Sequence, residues 1–457
     1  MVAGAVAMRI RSQTSEDRCM RKTAIAVSCL MALAATPLFA EEAEKAAAAA
    51  EKPAGEAEKL PNYAEERLTG DWAGARSAAA KSGFTWEGLI KVDTLHNSGG
   101  QSQGTRSVSH TDVKLGMDLE KIGGWSGASA MINVISDSGW GPNVRNVGSL
   151  MGVTNIEVGA PTTTRLFQAW LQQTFLEDQL ALLAGLYPID SEFFTADSAG
   201  IFLGPQYGTP ADLALTRGPS IFNNSAFGIR AKWQNPGKTL YAMGAVLDGI
   251  PNDPRHPRST AIRFDKGDGS FTIGELGWLP EADNDKYQGH AKLAAGLWGY
   301  SAKVNDLIEV DAAGNPLQRH SRGGYLLGEK TVLRLGDAPG RFLSGFARYT
   351  WTDGDSSAVE NSLNVGLHLK GPFAARPDDV FGIAWTRAGI SDKWRAAELA
   401  KNGNVTKEAE DALEITYRYI LMPYFIIQPN FQHVRNPGGI SGTPAAKLIG
   451  FRVELAL

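Results

Sequence analysis

The chain has 457 residues, of which 43% are hydrophobic and 21% charged, a composition that disfavours both a disordered chain and a bundle of membrane helices. Its 51 glycines favour an all-β protein with many turns. The formal net charge of the whole chain is −4. Residues 1–40 carry five basic and two acidic side chains, so the chain without them has a net charge of −7. This balance argues against nucleic acid as a partner.

Residues 1–40 have the features of a secretory signal peptide. Arg18, Arg21 and Lys22 form a basic patch, an apolar run follows over 23–38, and Ala40 is the small residue at the predicted cut. The run is too short for a stable membrane helix. Both cysteines lie in this segment, so the exported chain has none and depends on a large core or on a membrane for stability.

Residues 41–67 form a low-complexity stretch rich in Ala, Glu and Lys, which we interpret as a periplasmic linker. Pro53 and Gly55 interrupt its helical propensity. A short helical arm for oligomerisation or cell-wall contact is the alternative. After the linker, Asp71 can cap a helix over 72–81 that ends at Gly83.

From residue 84 onward the chain alternates apolar and polar residues with a period of two. Val113 and Leu115, for example, alternate with Asp112 and Lys114. The sixteen predicted strands lie near 84–95, 111–120, 127–137, 165–175, 179–187, 225–234, 239–248, 271–278, 289–300, 322–335, 342–352, 361–370, 379–389, 411–421, 424–434 and 446–456.

Strand length and aromatic placement separate a membrane barrel from a soluble sheet. The strands reach about 9–11 residues, the length that crosses a bilayer when tilted. Aromatic residues mark strand ends, where a lipid interface favours them: Trp125, Trp140, Tyr349, Trp351, Trp385 and Tyr424. The long predicted connections are 138–164, 188–224, 249–270 and 390–410. We therefore predict a 16-stranded antiparallel transmembrane β-barrel with a short N-terminal helix and a water-filled lumen.

Several motifs, in a fixed order along the chain, resemble the carbohydrate-selective porins of the OprB family. They begin with LTGDWAGAR at 68–76 and GLYPIDSEF at 185–193. The others are 198–203, 246–252, the surroundings of Gly269, Phe271 and Glu275, 370–380, 417–419, 428–432 and 436–439. The resemblance covers residues 68–457, which we take as the barrel domain. It implies inward-folded loops that narrow the pore and passive uptake of monosaccharides and small oligosaccharides across the outer membrane of a Gram-negative cell.

The polar strand face supplies the candidate pore-lining residues. If the apolar face meets lipid, the polar side chains point inward, where they can hydrogen-bond sugar hydroxyls or simply pair with each other in water. The candidates are Glu87, Lys91, Lys114, Asp118, Arg230, Lys232, Arg348, His368, Glu414 and Arg418. Small sugars and outer-membrane lipid are the expected partners, and a monomer and a homotrimer are both compatible with the pattern.

Other chemistry is not indicated by the sequence. No HExxH, GxSxG or P-loop motif occurs, and the seven histidines never fall at metal-ligand spacing, so we predict no metal, no cofactor and no catalytic residue. The alternatives are a general diffusion porin, a barrel that binds without conducting, and a secreted β-rich enzyme acting on glycans with carboxylates hidden in its loops.

Overall fold

The computed structural model describes residues 60–457 except 160–161, 254, 257, 281–290 and 337–339. In this part of the chain, sixteen antiparallel strands form a closed barrel in which consecutive strands pair and the first strand pairs with the last. The predicted fold class is confirmed. The predicted signal peptide and most of the linker lie outside the described residues.

The strands are β1 (Phe84–Ser98), β2 (Gly104–Asp118), β3 (Ala128–Gly139), β4 (Thr162–Phe175), β5 (Leu180–Tyr187), β6 (Ala226–Gln234), β7 (Leu240–Asp248), β8 (Ser270–Trp278), β9 (Lys292–Val310), β10 (Pro316–Arg334), β11 (Phe342–Thr352), β12 (Val359–Lys370), β13 (Val380–Ile390), β14 (Ala409–Met422), β15 (Phe425–Arg435) and β16 (Ala446–Ala456). The helices are α1 (Tyr63–Glu66), α2 (Ala75–Lys81), α3 (Leu119–Gly123), α4 (Ala211–Ala214) and α5 (Asp392–Asn402). No helix among the described residues is long and apolar enough to cross a membrane.

The two faces of the barrel wall differ in chemistry as the alternation predicts. Leu297 and Ile229 point outward and are 67% and 60% exposed. Lys91 and Asp93 point inward and are fully buried. Because neighbouring side chains of a strand lie on opposite faces, the period-two pattern sorts apolar residues to the outside and polar residues to the lumen.

The connections at the two ends of the barrel have different lengths. At one end they are short, as at 176–179 and 423–424. At the other end lie the long connections 140–161, 188–225 and 391–408. Short turns face the periplasm in barrels of this kind and long loops face the outside, which orients the molecule.

The hairpin of β9 and β10 is longer than predicted. The sequence predicts strands over 289–300 and 322–335, whereas the strands meet at a tip near residue 311. The extra length lies at the extracellular end, where no lipid imposes alternation. Lys393 of α5 donates to Asp306 of the hairpin at 2.7 Å, so α5 braces the hairpin from the side.

The predicted N-terminal helix is shorter and begins later. Residues Trp72–Gly74 form a single 3₁₀ turn, and Ala73 and Gly74 have positive φ of 56° and 91°, which breaks the helix before α2. Asp71 makes no cap to that turn. It accepts instead from the backbone N–H of Ser77, at 2.8 Å, inside the first turn of α2.

Arg76 of α2 joins the segment before the barrel to the seam between β1 and β16. Its guanidinium donates to the carbonyl oxygens of Trp86 (2.8 Å) and Leu457 (2.9 Å). The rings of Tyr63, Trp72 and Trp86 lie 4.5 to 5.3 Å from the same group. Arg76 is only 2% exposed, so the N-terminal segment is fastened to the periplasmic end of the barrel.

Candidate functional site

The lumen is narrowed by two connections that fold into it. We call residues 140–159 the first inner loop and residues 188–225 the second inner loop. Both are densely packed: Val147, Met151, Phe193 and Phe194 have no measurable exposure. The inward loops implied by the family resemblance are therefore present. The sites at which they are anchored determine which part of the inner wall surface the loops leave uncovered.

The second inner loop packs on an apolar sector of the wall formed by β7–β13. Phe194 meets Tyr325 edge to face at a centroid distance of 5.7 Å. Phe202 packs on Phe346 at 6.0 Å, and Tyr207 lies in the same cluster. Apolar inward residues in a barrel wall need such a cover, because water would otherwise contact them.

Three glutamates hold the same loop by its backbone: Glu275 and Glu329 of this sector, and Glu414 of the adjacent strand β14. Glu275, Glu329 and Glu414 are each at most 6% exposed, and each accepts backbone N–H groups of the loop. The N···O distances are 2.8 Å for Phe194 to Glu275, 2.6 Å for Ser198 to Glu329, and 2.6 and 2.9 Å for Leu203 and Gly204 to Glu414. A buried carboxylate bonded in this way fixes the position of the loop.

Arg348 of β11 also binds the backbone of the loop, but as a hydrogen-bond donor. Its guanidinium donates to the carbonyl oxygens of Phe194 (2.8 Å), Gln206 (2.5 Å) and Gly208 (2.6 Å). The planar fork of an arginine suits several fixed acceptors at once. Arg348 and Glu414, both predicted as pore-lining, therefore lie under the loop and hold it.

The first inner loop is anchored on the neighbouring sector. Its Val147, Met151 and Val153 share an apolar cluster with Leu95 of β1 and Leu448 of β16. Glu410 of β14 accepts N–H groups from residues 150 and 151 at 2.9 and 3.2 Å.

A buried ion pair lies beside that anchor. Arg452 of β16 donates to both oxygens of Asp93 on β1, at 2.7 and 2.8 Å, and to Asn155 of the first inner loop at 2.5 Å. Thr154 donates to the same carboxylate. The loop thus bridges the seam of the barrel from the inside.

The wall from β1 to β6 is predominantly polar on its inward face, and we call it the polar arc. Its members are Lys91, Asp112, Lys114, Asn133, Gln168, Gln172 and Arg230. Neighbours along it are hydrogen-bonded: Gln168 donates to Asn133 at 3.4 Å, and Arg230 donates to Gln172 at 2.9 Å. Arg230 also pairs with Glu192 of the second inner loop at 2.7 Å, so the arc and the loop face each other.

Trp170 of β4 is the large aromatic side chain within the polar arc. It points inward, is half-buried, and its indole Nε1–H donates to Gln168 at 3.1 Å. Its inward position is difficult to predict from the sequence, because a bulge at Phe167 shifts the register between β3 and β4 and breaks the alternation. Beyond the bulge the alternation resumes, with Leu171 outward and Gln172 inward.

The other predicted residues are distributed around the lumen. Glu87, Lys232, His368 and Arg418 are inward and half-buried. Arg418 pairs with Glu454 at 3.0 Å. Asp118 lies at the end of β2, where its carboxylate accepts from the first backbone N–H groups of α3 and caps that turn.

A closed sixteen-stranded barrel with polar lumen, apolar outer face and two constricting inner loops defines an outer-membrane porin of the Gram-negative type. The carbohydrate-selective porin, OprB family, matches residues 102–457, and the chain belongs to this family. It is a porin for the passive, carbohydrate-selective diffusion of sugars.

Curated relatives agree with this assignment. Porin B of Pseudomonas aeruginosa is 25% identical over 425 residues, covering 85% of this chain and 90% of the relative. The putative porin QuiX of Acinetobacter baylyi is 23% identical, covering 85% and 92%. Among solved structures, the high-pH form of Pseudomonas putida OprB superposes with a TM-score of 0.77 at 21% identity, covering 87% of this chain and all of that one.

Proposed function

We propose that monosaccharides and small oligosaccharides pass between the second inner loop and the polar arc. The supporting observation is the segregation of the wall: under the loop lie apolar residues and the charged groups that bond to its backbone, and opposite it lie amides and charges that bond mainly to one another. A sugar presents hydroxyl groups around its edge and C–H groups on its faces. It therefore suits a passage with hydrogen-bonding side chains and one aromatic surface, and here Trp170 offers that surface.

Within this proposal the predicted residues take different roles. Lys91, Lys114 and Arg230 belong to the arc along the passage. Glu87, Lys232, His368 and Arg418, which are half-buried and inward, line its wider parts. The remaining three predicted residues serve the loop anchor and the periplasmic turn described above.

Replacing Trp170 by Ala should weaken sugar binding in the channel. Glucose and maltose flux into liposomes carrying the purified protein should saturate, and Trp170→Ala should raise the half-saturating concentration about threefold to tenfold, as expected for loss of one aromatic contact. Trp233→Ala is the matched control, since Trp233 lies on the outward face of β6 and is 42% exposed; its flux should match that of the unaltered protein.

Each other outcome selects an alternative. Flux that never saturates, and is unaffected by Trp170→Ala, would favour a general diffusion porin. Sugar binding without flux would favour a barrel that binds without conducting. Protein that stays in the soluble fraction and forms no channel would favour the secreted glycan-acting enzyme.

A further inference from the structure

Four charged residues lie together on the outward face at the extracellular end of the barrel. Arg387, Asp411 and Arg435 are consecutive neighbours across β13, β14 and β15. Lys447 of β16 lies opposite His433, which is two residues from Arg435 along β15. We call Arg387, Asp411, Arg435 and Lys447 the rim cluster. Charged side chains are unexpected here, because the same face of the same strands is otherwise apolar or aromatic.

The rim cluster has an excess of positive charge. Asp411 is 5% exposed and bonds to Arg387 at 3.3 Å and to Arg435 at 2.8 Å. The two arginine side chains remain 47% and 60% exposed, so most of their N–H groups point away from the carboxylate. Lys447 adds a third cation, and no bond of its ammonium to another described residue is found. One carboxylate therefore holds two guanidiniums in place without neutralising the cluster.

The level of the rim cluster matches the boundary between lipid tails and headgroups. Trp385 lies two residues nearer the membrane centre on the strand of Arg387, facing the same way. Tyr349 and Trp351 form a stacked pair on β11 at the same end, with centroids 6.0 Å apart. Such aromatic residues mark the interface, where cations meet the phosphates of lipid headgroups.

We propose that the rim cluster binds the phosphate groups of a phosphorylated glycolipid in the outer leaflet. Arginine matches phosphate oxygens in a bidentate manner, and Asp411 pre-orients both guanidiniums for it. The apolar strand face below would contact the acyl chains. The proposal rests on the location and orientation of the barrel in the outer membrane and is independent of the path taken by sugars.

The test is a binding titration of the full-length protein in detergent micelles with lipid A that carries both phosphates. The dephosphorylated lipid A and inorganic phosphate are the comparison probes. The unaltered protein should prefer the phosphorylated lipid to both by roughly tenfold or more, and R387A/R435A should lose about that factor, as expected for charge-assisted bonds. Asp411→Asn removes the competing anion but keeps a side-chain oxygen that accepts from the guanidiniums, so this variant should bind at least as tightly as the unaltered protein.

Two further single variants distinguish a loss of lipid binding from a loss of folding. Lys330→Ala removes an outward cation from the periplasmic half of the barrel and should bind normally. Lys447→Ala should fold even if the double variant does not, and it should lose binding several-fold. Three results would overturn the proposal: equal binding of phosphorylated and dephosphorylated lipid, equal affinity for inorganic phosphate alone, or normal binding by R387A/R435A. Sugar flux should be unchanged in all four variants.

Discussion

Arg76 contacts both the first strand of the barrel and the residue that follows the last one. It is a buried cation held by the main-chain oxygens of Trp86 and Leu457 and by three aromatic rings. Cation–π contacts gain strength when the cation is shielded from water. The LTGDWAGAR segment could be recognised in the sequence as a family motif, but this role could not, because its acceptors belong to both ends of the barrel wall.

Arg76→Ala should destabilise the closed barrel. It leaves two partly buried main-chain oxygens without this donor, and each such loss costs up to about 1–3 kcal/mol. The expected result is unfolding at lower urea concentration in micelles, seen as loss of heat-modifiable mobility on gels. Arg76→Lys should be intermediate, because an ammonium cannot reach both acceptors with a planar fork. Arg395→Ala, on α5 and away from the seam, is the control, and an equal urea midpoint for Arg76→Ala and Arg395→Ala would contradict the role given to Arg76.

Among elements, the two inner loops were the least predictable from sequence. The strands followed from a two-residue period that lipid and water impose on opposite faces. The loops have no periodic pattern of apolar and polar residues. Nothing in the sequence distinguishes their anchors Glu275, Glu329 and Arg348 from other inward polar residues of the strands. The sequence analysis predicts a connection over 390–410, whereas the structure has α5 there, with Ser391 and Gly403 as its cap residues.

The first inner loop should respond to pH through Glu157. This carboxylate accepts the backbone N–H groups of Gly141 (2.9 Å), Asn143 (2.7 Å) and Val144 (3.3 Å). Burial raises the pKa of Glu157 to about 7, against the lowering effect of those three bonds. Since the pKa in the folded protein lies above the ordinary value, this group's stabilising contribution is complete below about pH 4 and is lost as pH rises through about 7.

The expected outcome is weaker protection of the turn over 141–147 at pH 9 than at pH 5. Hydrogen exchange, corrected for the intrinsic effect of pH on amide exchange, measures it directly. Glu157→Gln has no titratable group at this position and should lose the pH dependence while keeping an acceptor oxygen. Equal protection at both pH values in the unaltered protein would contradict the prediction.

At the scale of the whole molecule, the apolar outward face of the strands allows the barrel to insert into a membrane. Leu367 points outward from β12, is 45% exposed, and pairs with Gly345 and Ile383 of the adjacent strands. Leu367→Arg should impair membrane insertion by up to roughly 2–4 kcal/mol, the cost of arginine on the lipid face near mid-bilayer. The measurement is the fraction of protein that becomes heat-modifiable on folding into liposomes.

The control for that substitution is Leu399→Arg. Leu399 is 56% exposed but lies on α5, outside the barrel wall, so a charge there should be tolerated. Equal insertion of the two variants would show that the face assignment is wrong. The sequence supports this assignment because most strands repeat it, whereas the path through the lumen depends on contacts between residues far apart in the chain.

The bond between Arg76 and Leu457 spans 381 positions of the chain. Contacts of such separation form late in folding, after the chain between them has been ordered. A strand paired one step out of register anywhere in the ring would displace the final strand and deny Arg76 its acceptor. The same contact that stabilises the finished seam therefore also acts as a check on assembly, because it can form only when all sixteen pairings are correct.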